Sequence, residues 1–74
     1  MLASLTNRRK SHPVDIGGRF SKRETPWVIW EVRSTYRGID GYPYAAMTCL
    51  SDPTQHKTIS LQVLEDGEQY ARVG

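Results

Sequence analysis

Short segments in which apolar and polar residues alternate follow one another from Gly17 to Val73, and turn residues separate them. Such alternation is typical of half-buried β-strands, while clusters of Gly, Pro, Asp and Ser mark the turns. The pattern predicts five strands. They cover residues 19–22, 27–33 with an extension toward Tyr36, 42–50, 58–63 and 69–73, and the second and third form a hairpin around a turn at residues 37–41.

The faces of these strands predict a core. In the second strand Val28, Trp30 and Val32 share a uniformly apolar face, so we expect that face to point inward and Trp27 to point outward. In the fourth strand the apolar positions are likewise every second residue, and a tight connector at residues 65–68, with room for one 3₁₀ turn, follows. The predicted core residues are Phe20, Val28, Trp30, Val32, Met47, Ile59, Leu61 and Val63.

This arrangement of three longer strands joined by hairpins, a tight connector and a brief last strand resembles an SH3-like barrel of the small bacterial kind, with the layout of KOW and Tudor-type domains. The resemblance lies in residues 17–20, 30–32, 45–49, 58–64 and 70–73. It implies an all-β fold, a small five-stranded SH3-like barrel over residues 17–74. The nearest rival is a five-stranded OB-fold, whose helix between the third and fourth strands does not fit the short turn at residues 51–56.

Charge divides the chain into two parts. Residues 1–23 carry six Lys or Arg against one Asp, a net charge of +5, whereas residues 24–74 carry four against seven acidic residues, a net charge of −3. Residues 1–16 have no sustained apolar period and are predicted to form a flexible basic leader ahead of the barrel. The candidate phosphate contacts in and after this arm are Arg8, Arg9, Lys10, Arg19, Lys22 and Arg23.

Candidate catalytic groups are sparse. Cys49 is the single cysteine, which excludes an internal disulfide and fits a reducing cytoplasmic setting. We expect its side chain to be buried. His12 and His56, expected in the leader and in a turn, have no neighbour that would orient them. We therefore expect a protein that is not an enzyme and has no cofactor or metal. No apolar run approaches the roughly 20 residues of a membrane span, so no membrane partner is expected.

Aromatic residues near the predicted hairpin tip are the best candidates for function. Tyr36, Tyr42 and Tyr44 are predicted to form one exposed patch. Arg33 and Arg37 flank this patch, and Trp27 completes the candidate binding residues. Such a patch stacks bases, grips a Pro-rich peptide or anchors a protein interface, unless it only closes the end of the barrel against water.

Three hypotheses follow. The sequence favours a non-enzymatic protein-interaction module, an adaptor or regulator that binds through the aromatic rim. The alternative is an RNA or single-stranded DNA binding protein that uses the basic arm for affinity and the tyrosines for stacking. Self-association through an edge strand, at residues 19–22 or 69–73, is the third, because so small a core gains from a partner.

Overall fold

One antiparallel sheet of five strands organises residues 14–73, the part of the chain that the computed structural model describes. The elements in chain order are β1 (Arg19–Lys22), β2 (Ile29–Arg37), β3 (Pro43–Cys49), β4 (His56–Ser60), α1 (Leu61–Asp66) and β5 (Tyr70–Val73). The predicted all-β class is confirmed. Most of the predicted leader, residues 1–16, lies outside the described residues.

The strands lie in the order β4-β3-β2-β1-β5. Successive strands from β1 to β4 are neighbours, and β5 returns to pair with β1, where Arg19 lies opposite Val73. The prediction that residues 19–22 form an edge is therefore wrong, because β1 is paired on both sides. Among the described strands the two edges are β4 and β5, so the predicted edge at the end of the chain is confirmed.

The core lies on the inner face of this sheet. Four of the predicted core residues, Phe20, Trp30, Val32 and Met47, are buried, and the other four are partly buried against them. The buried set also contains Ala45, Cys49, Leu64 and Tyr70. Val14 packs against the same core, so packing begins within the segment that was predicted as leader.

A short helix replaces the end of the predicted fourth strand. The prediction of a strand through Val63 is wrong, because β4 ends at Ser60 and residues 61–66 are helical. The Ser60 hydroxyl caps the helix by accepting a hydrogen bond of 3.1 Å from the Gln62 amide, and Gly67 ends it in the left-handed conformation with φ of 75°. Leu64 is the residue of this helix that is buried in the core.

A side-chain hydrogen bond joins the two edge strands across the inner face of the sheet. Lys57 on β4 donates a hydrogen bond of 3.0 Å from its ammonium group to the Tyr70 hydroxyl on β5. The same ammonium lies 4.2 Å from the centroid of the Trp30 ring. Because β4 and β5 are opposite edges, a single lysine reaches from one to the other only if the sheet curls around its core.

Candidate functional site: the aromatic hairpin surface

A β-bulge decides which way Tyr36 points. The pairing of β2 with β3 shifts between Val32 and Ser34, which makes Arg33 an extra residue on β2. Before the bulge, the even-numbered residues of β2 face the core. After it, Thr35 lies opposite the buried Ala45, and Tyr36 lies opposite Tyr44 on the outer face. The two tyrosine rings are tilted by 31°, with centroids 5.9 Å apart.

The loop between β2 and β3 holds an isoleucine in solvent. The Gly38 amide donates to the Tyr42 carbonyl at 2.8 Å, and the Gly41 amide donates to the Gly38 carbonyl at 2.9 Å. Gly41 has φ of 87°, which favours glycine over other residues. These bonds form a tight loop with Ile39 at its tip, where the side chain is fully exposed, and Tyr42 next to it is 63 % exposed.

We call Tyr36, Ile39, Asp40, Tyr42 and Tyr44 the aromatic hairpin surface. All but Tyr42 line a shallow groove of about 400 Å³, together with Gly38 and Thr58. The three tyrosines that the sequence predicted as a patch thus lie on one hairpin, two of them in ring contact. Ile39 was missed. Its signal in the sequence is an apolar residue inside a glycine-bounded turn, where it does not reach the core.

Asp40 gives this groove one fixed negative charge. Its carboxylate accepts hydrogen bonds from the Tyr44 hydroxyl and, at 3.0 Å, from the Tyr42 amide. The bond from Tyr44, followed by that from the Tyr42 amide, lowers the pKa of Asp40, and the same bond raises the pKa of Tyr44. Within residues 14–73, Asp40 forms no ion pair with Lys or Arg.

The predicted flanking arginines are bound within the chain. Arg33 donates to the Glu31 carboxylate at 2.7 Å, and Arg19 donates to its other oxygen at 3.3 Å. These two hydrogen bonds, Arg33 first, lower the pKa of Glu31. Arg37 donates to the Gly41 carbonyl at 2.6 Å and so braces the hairpin loop. Arg33 and Arg37 therefore support the strands beside the aromatic hairpin surface.

Trp27 lies away from the tyrosines. The predicted strand start at Trp27 is wrong, because β2 begins at Ile29 and Trp27 belongs to the turn before it, with 75 % of its surface exposed. Tyr36 lies seven positions after Ile29 along β2, which corresponds to about 23 Å. Trp27 shares its end of the sheet with Leu50, whose amide bonds to the Ile29 carbonyl at 2.9 Å. It is not part of the aromatic hairpin surface.

Of the six residues proposed for phosphate contact, three lie within the described residues, and each of these three contacts another group of the chain. Arg8, Arg9 and Lys10 lie outside the described residues. Arg19 pairs with Glu31, and Lys22 lies 3.7 Å from the Glu24 carboxylate. Arg23 donates to the Gly67 carbonyl at 2.8 Å. Residues 14–73 contain eight acidic and seven basic side chains, so this part of the chain carries a net charge of −1.

The remaining candidate groups do not converge. His56 opens β4 rather than lying in the turn, and its Nδ1 is 3.2 Å from the Thr48 hydroxyl, whereas His12 lies outside the described residues. Cys49 is buried as predicted, with its Sγ 3.3 Å from the Ser51 hydroxyl, a contact that lowers its pKa. In the described range, no three His, Cys, Asp or Glu side chains are grouped to hold a metal ion.

None of the helical residues between positions 14 and 73 forms a segment with the length and apolar character needed to cross a bilayer. Comparison with protein families, with characterised proteins and with solved structures finds no match for the chain. Its function must therefore be inferred from the site itself.

Proposed function

We propose that this protein is a small non-enzymatic protein-interaction module that binds its partner through the aromatic hairpin surface. The observation that carries the proposal is the full exposure of Ile39 beside two exposed tyrosines, Tyr36 and Tyr42. Contiguous exposed apolar groups mark interaction sites on soluble proteins. Tyrosines that are ordered before binding lose little side-chain freedom in a complex and frequently act as anchors.

The proposed scaffold is an SH3-like barrel with the layout of KOW and Tudor-type domains. Three features support it. The strand order is β4-β3-β2-β1-β5, a six-residue helix connects β4 to β5, and the Lys57–Tyr70 hydrogen bond joins the two edges. In such a scaffold the hairpin loop projects from a curled sheet and contributes nothing to the core. The sequence of the loop can therefore change to suit a partner without disturbing the fold.

Charge favours a protein partner over a nucleic acid. A surface that binds phosphates presents a basic patch. Here residues 14–73 have a net charge of −1, and Asp40 adds a carboxylate to the groove itself. The cations nearest the hairpin, Arg33 and Arg37, hold Glu31 and the Gly41 carbonyl. The single buried cysteine fits a reducing compartment, and we place the module in the cytoplasm as an adaptor or regulatory subunit.

Affinity capture from nuclease-treated lysate of the source organism tests this function. The bait is the tagged full chain, compared with a Tyr36→Ser/Tyr42→Ser variant and with Trp27→Ser as the matched control. Trp27 is aromatic and even more exposed than the two tyrosines, but it lies in the turn before the other end of β2. We expect proteins that the wild type and the Trp27 variant both retain to be lost from the tyrosine variant. Retention by all three baits would contradict the proposal.

A further inference from the structure

We propose that one partner of the aromatic hairpin surface is a second copy of this chain. The tip of the hairpin, Ile39 and Asp40, docks into a groove between α1, β1 and β5 of the next copy. The inference rests on the proposed function, because it names what that surface binds. It follows from a groove whose size and charge suit the tip of the hairpin of the same molecule.

The receiving groove has an apolar floor and a rim that carries two arginines and one glutamate, which gives the rim a net positive charge. Phe20, Leu64 and Tyr70 form the floor, and each is at least 97 % buried. Arg23 and Arg72 line the same groove, with Glu65, Gly67 and Ala71 completing it. Its volume is about 300 Å³. A water occupies about 30 Å³ of the liquid, so a space of about ten waters accommodates an isoleucine side chain.

Both arginines of the rim are held in place before anything binds. The Arg23 Nε donates to the Gly67 carbonyl at 2.8 Å, which uses one of the five N–H groups of a guanidinium. The Arg72 guanidinium carbon lies 5.4 Å from the centroid of the Phe20 ring. Side chains that are ordered in the free protein lose less conformational entropy on binding. The groove is therefore organised for an apolar group that is followed by an anion.

The hairpin tip carries the groups that the groove would accept, an apolar side chain followed by an anion. Ile39 is fully exposed, and the carboxylate of Asp40 follows it in the chain. The Tyr42 amide and the Tyr44 hydroxyl hold this carboxylate, and it has no ion pair within the described part of the chain. Arg and carboxylate groups form short charge-assisted hydrogen bonds, frequently two per pair. With Ile39 over the apolar floor, Asp40 would meet the arginines of the rim.

The geometry of this contact sets its stoichiometry. The hairpin tip and the groove share no residue, so one copy offers both surfaces at once. A contact between two different surfaces is heterologous and lets assembly continue beyond two copies unless the ring closes. A loop tip buries less than the roughly 1,600 Å² of a standard interface. We therefore expect weak association, with a dissociation constant on the order of 100 µM.

Sedimentation velocity of the full chain, from well below to well above that concentration, tests the inference. We expect the sedimentation coefficient of the wild type to rise with concentration. Asp40→Lys removes the anion of the tip, and Arg72→Glu removes a cation of the groove, so each variant alone should stay monomeric. Asp15→Lys, the same charge change at an exposed residue outside both surfaces, should associate like the wild type.

Mixing the two variants gives the sharpest result. The Asp40→Lys chain keeps an intact groove and the Arg72→Glu chain keeps an intact tip, and the two exchanged charges also attract each other, so the mixture should associate although each variant alone does not. This gain also shows that both variants are folded. A mixture that stays monomeric, or an Arg72→Glu variant that associates by itself, would overturn the inference. A wild type that is monomeric throughout would also overturn it, while the capture experiment still decides the proposed function.

Discussion

Gly38 and Tyr44 are packed so closely that the hairpin has no room for a side chain at position 38. A Cβ on Gly38 would lie 2.6 Å from Cε2 of the Tyr44 ring and 3.0 Å from Cδ2. The ring thus covers the backbone of the loop from the outer face. The glycine is required here for a close approach, which differs from Gly41, where it is required for a positive φ.

Replacing Gly38 with alanine tests this packing. The new methyl group must push the Tyr44 ring away, which weakens its contact with Tyr36 and its bond to Asp40. We expect a loss of about 1–3 kcal/mol in unfolding free energy, the usual cost of overpacking. Denaturant titration measures the loss, and the NMR shifts of the Tyr44 ring report its movement. Unchanged stability together with unchanged ring shifts would show that the close approach is not there.

The helix leads to a second prediction, about which of two leucines contributes more to stability. The sequence pattern placed Leu61 in the core, whereas the structure buries Leu64 more deeply. Leu64 is 3 % exposed, whereas Leu61 is only partly buried. Leu64→Ala should therefore lower the unfolding free energy by about 2–5 kcal/mol, the range for a core truncation. Leu61→Ala is the matched control and should cost less. If Leu61→Ala is the more damaging change, the strand predicted through residue 63 describes the protein better than α1 does.

The Lys57–Tyr70 hydrogen bond tests the curl of the sheet. Lys57→Met keeps most of the aliphatic stem but loses the donor, and Tyr70→Phe loses the acceptor. Because the two residues share one bond, we expect the double variant to lose less stability than the sum of the single variants. The difference should be about 0.5–1.5 kcal/mol, the net contribution of a typical hydrogen bond. Additive effects would mean that the Lys57–Tyr70 hydrogen bond does not stabilise the fold in solution.

The lowered pKa of Asp40 predicts that the contribution of this carboxylate to stability is lost in acid. Its pKa is lowered in the folded chain, so its ionised form stabilises the fold above the ordinary carboxyl pKa of about 4. That contribution is lost as the pH falls through the lowered folded-state pKa. Tyr44→Phe removes the largest cause of the shift and should raise the pKa of Asp40. An NMR titration of the Asp40 carboxyl carbon measures this change. The same titration midpoint in the wild type and the variant would refute the Tyr44 hydrogen bond.

Much of the fold was predictable, because alternation reports which face of a strand is buried. It located β1, β2, β3 and β5 and half of the buried core. It failed after Ser60, where Leu61 and Val63 continue the alternation although Ser60 and Gly67 are good helix caps. The spacing of apolar residues along the chain does not decide between a continued strand and a capped helix. The choice depends on whether Leu64 is buried, which is a tertiary contact.

Three members of the site, the tyrosines, were predictable, whereas Ile39, Asp40 and the geometry of the site were not. Tyrosines near a predicted hairpin tip indicate an exposed patch, and Tyr36, Tyr42 and Tyr44 all lie on the hairpin as expected. Their arrangement depends on the bulge at Arg33, which turns Tyr36 to the outer face. An unbroken alternation would have put Tyr36 on the same face as Trp30 and Val32. A bulge arises from the pairing with the neighbouring strand, so β2 by itself does not reveal it.

The measurement that tests the account most directly pairs stability with partner capture for Ile39→Ser. Ile39 is fully exposed at the tip of the hairpin, so its truncation should change the unfolding free energy by less than about 0.5 kcal/mol, as for most surface substitutions. The same variant should lose the proteins that the wild type retains from lysate. A folded Ile39→Ser chain that retains them all would contradict the proposal that the aromatic hairpin surface is the binding site.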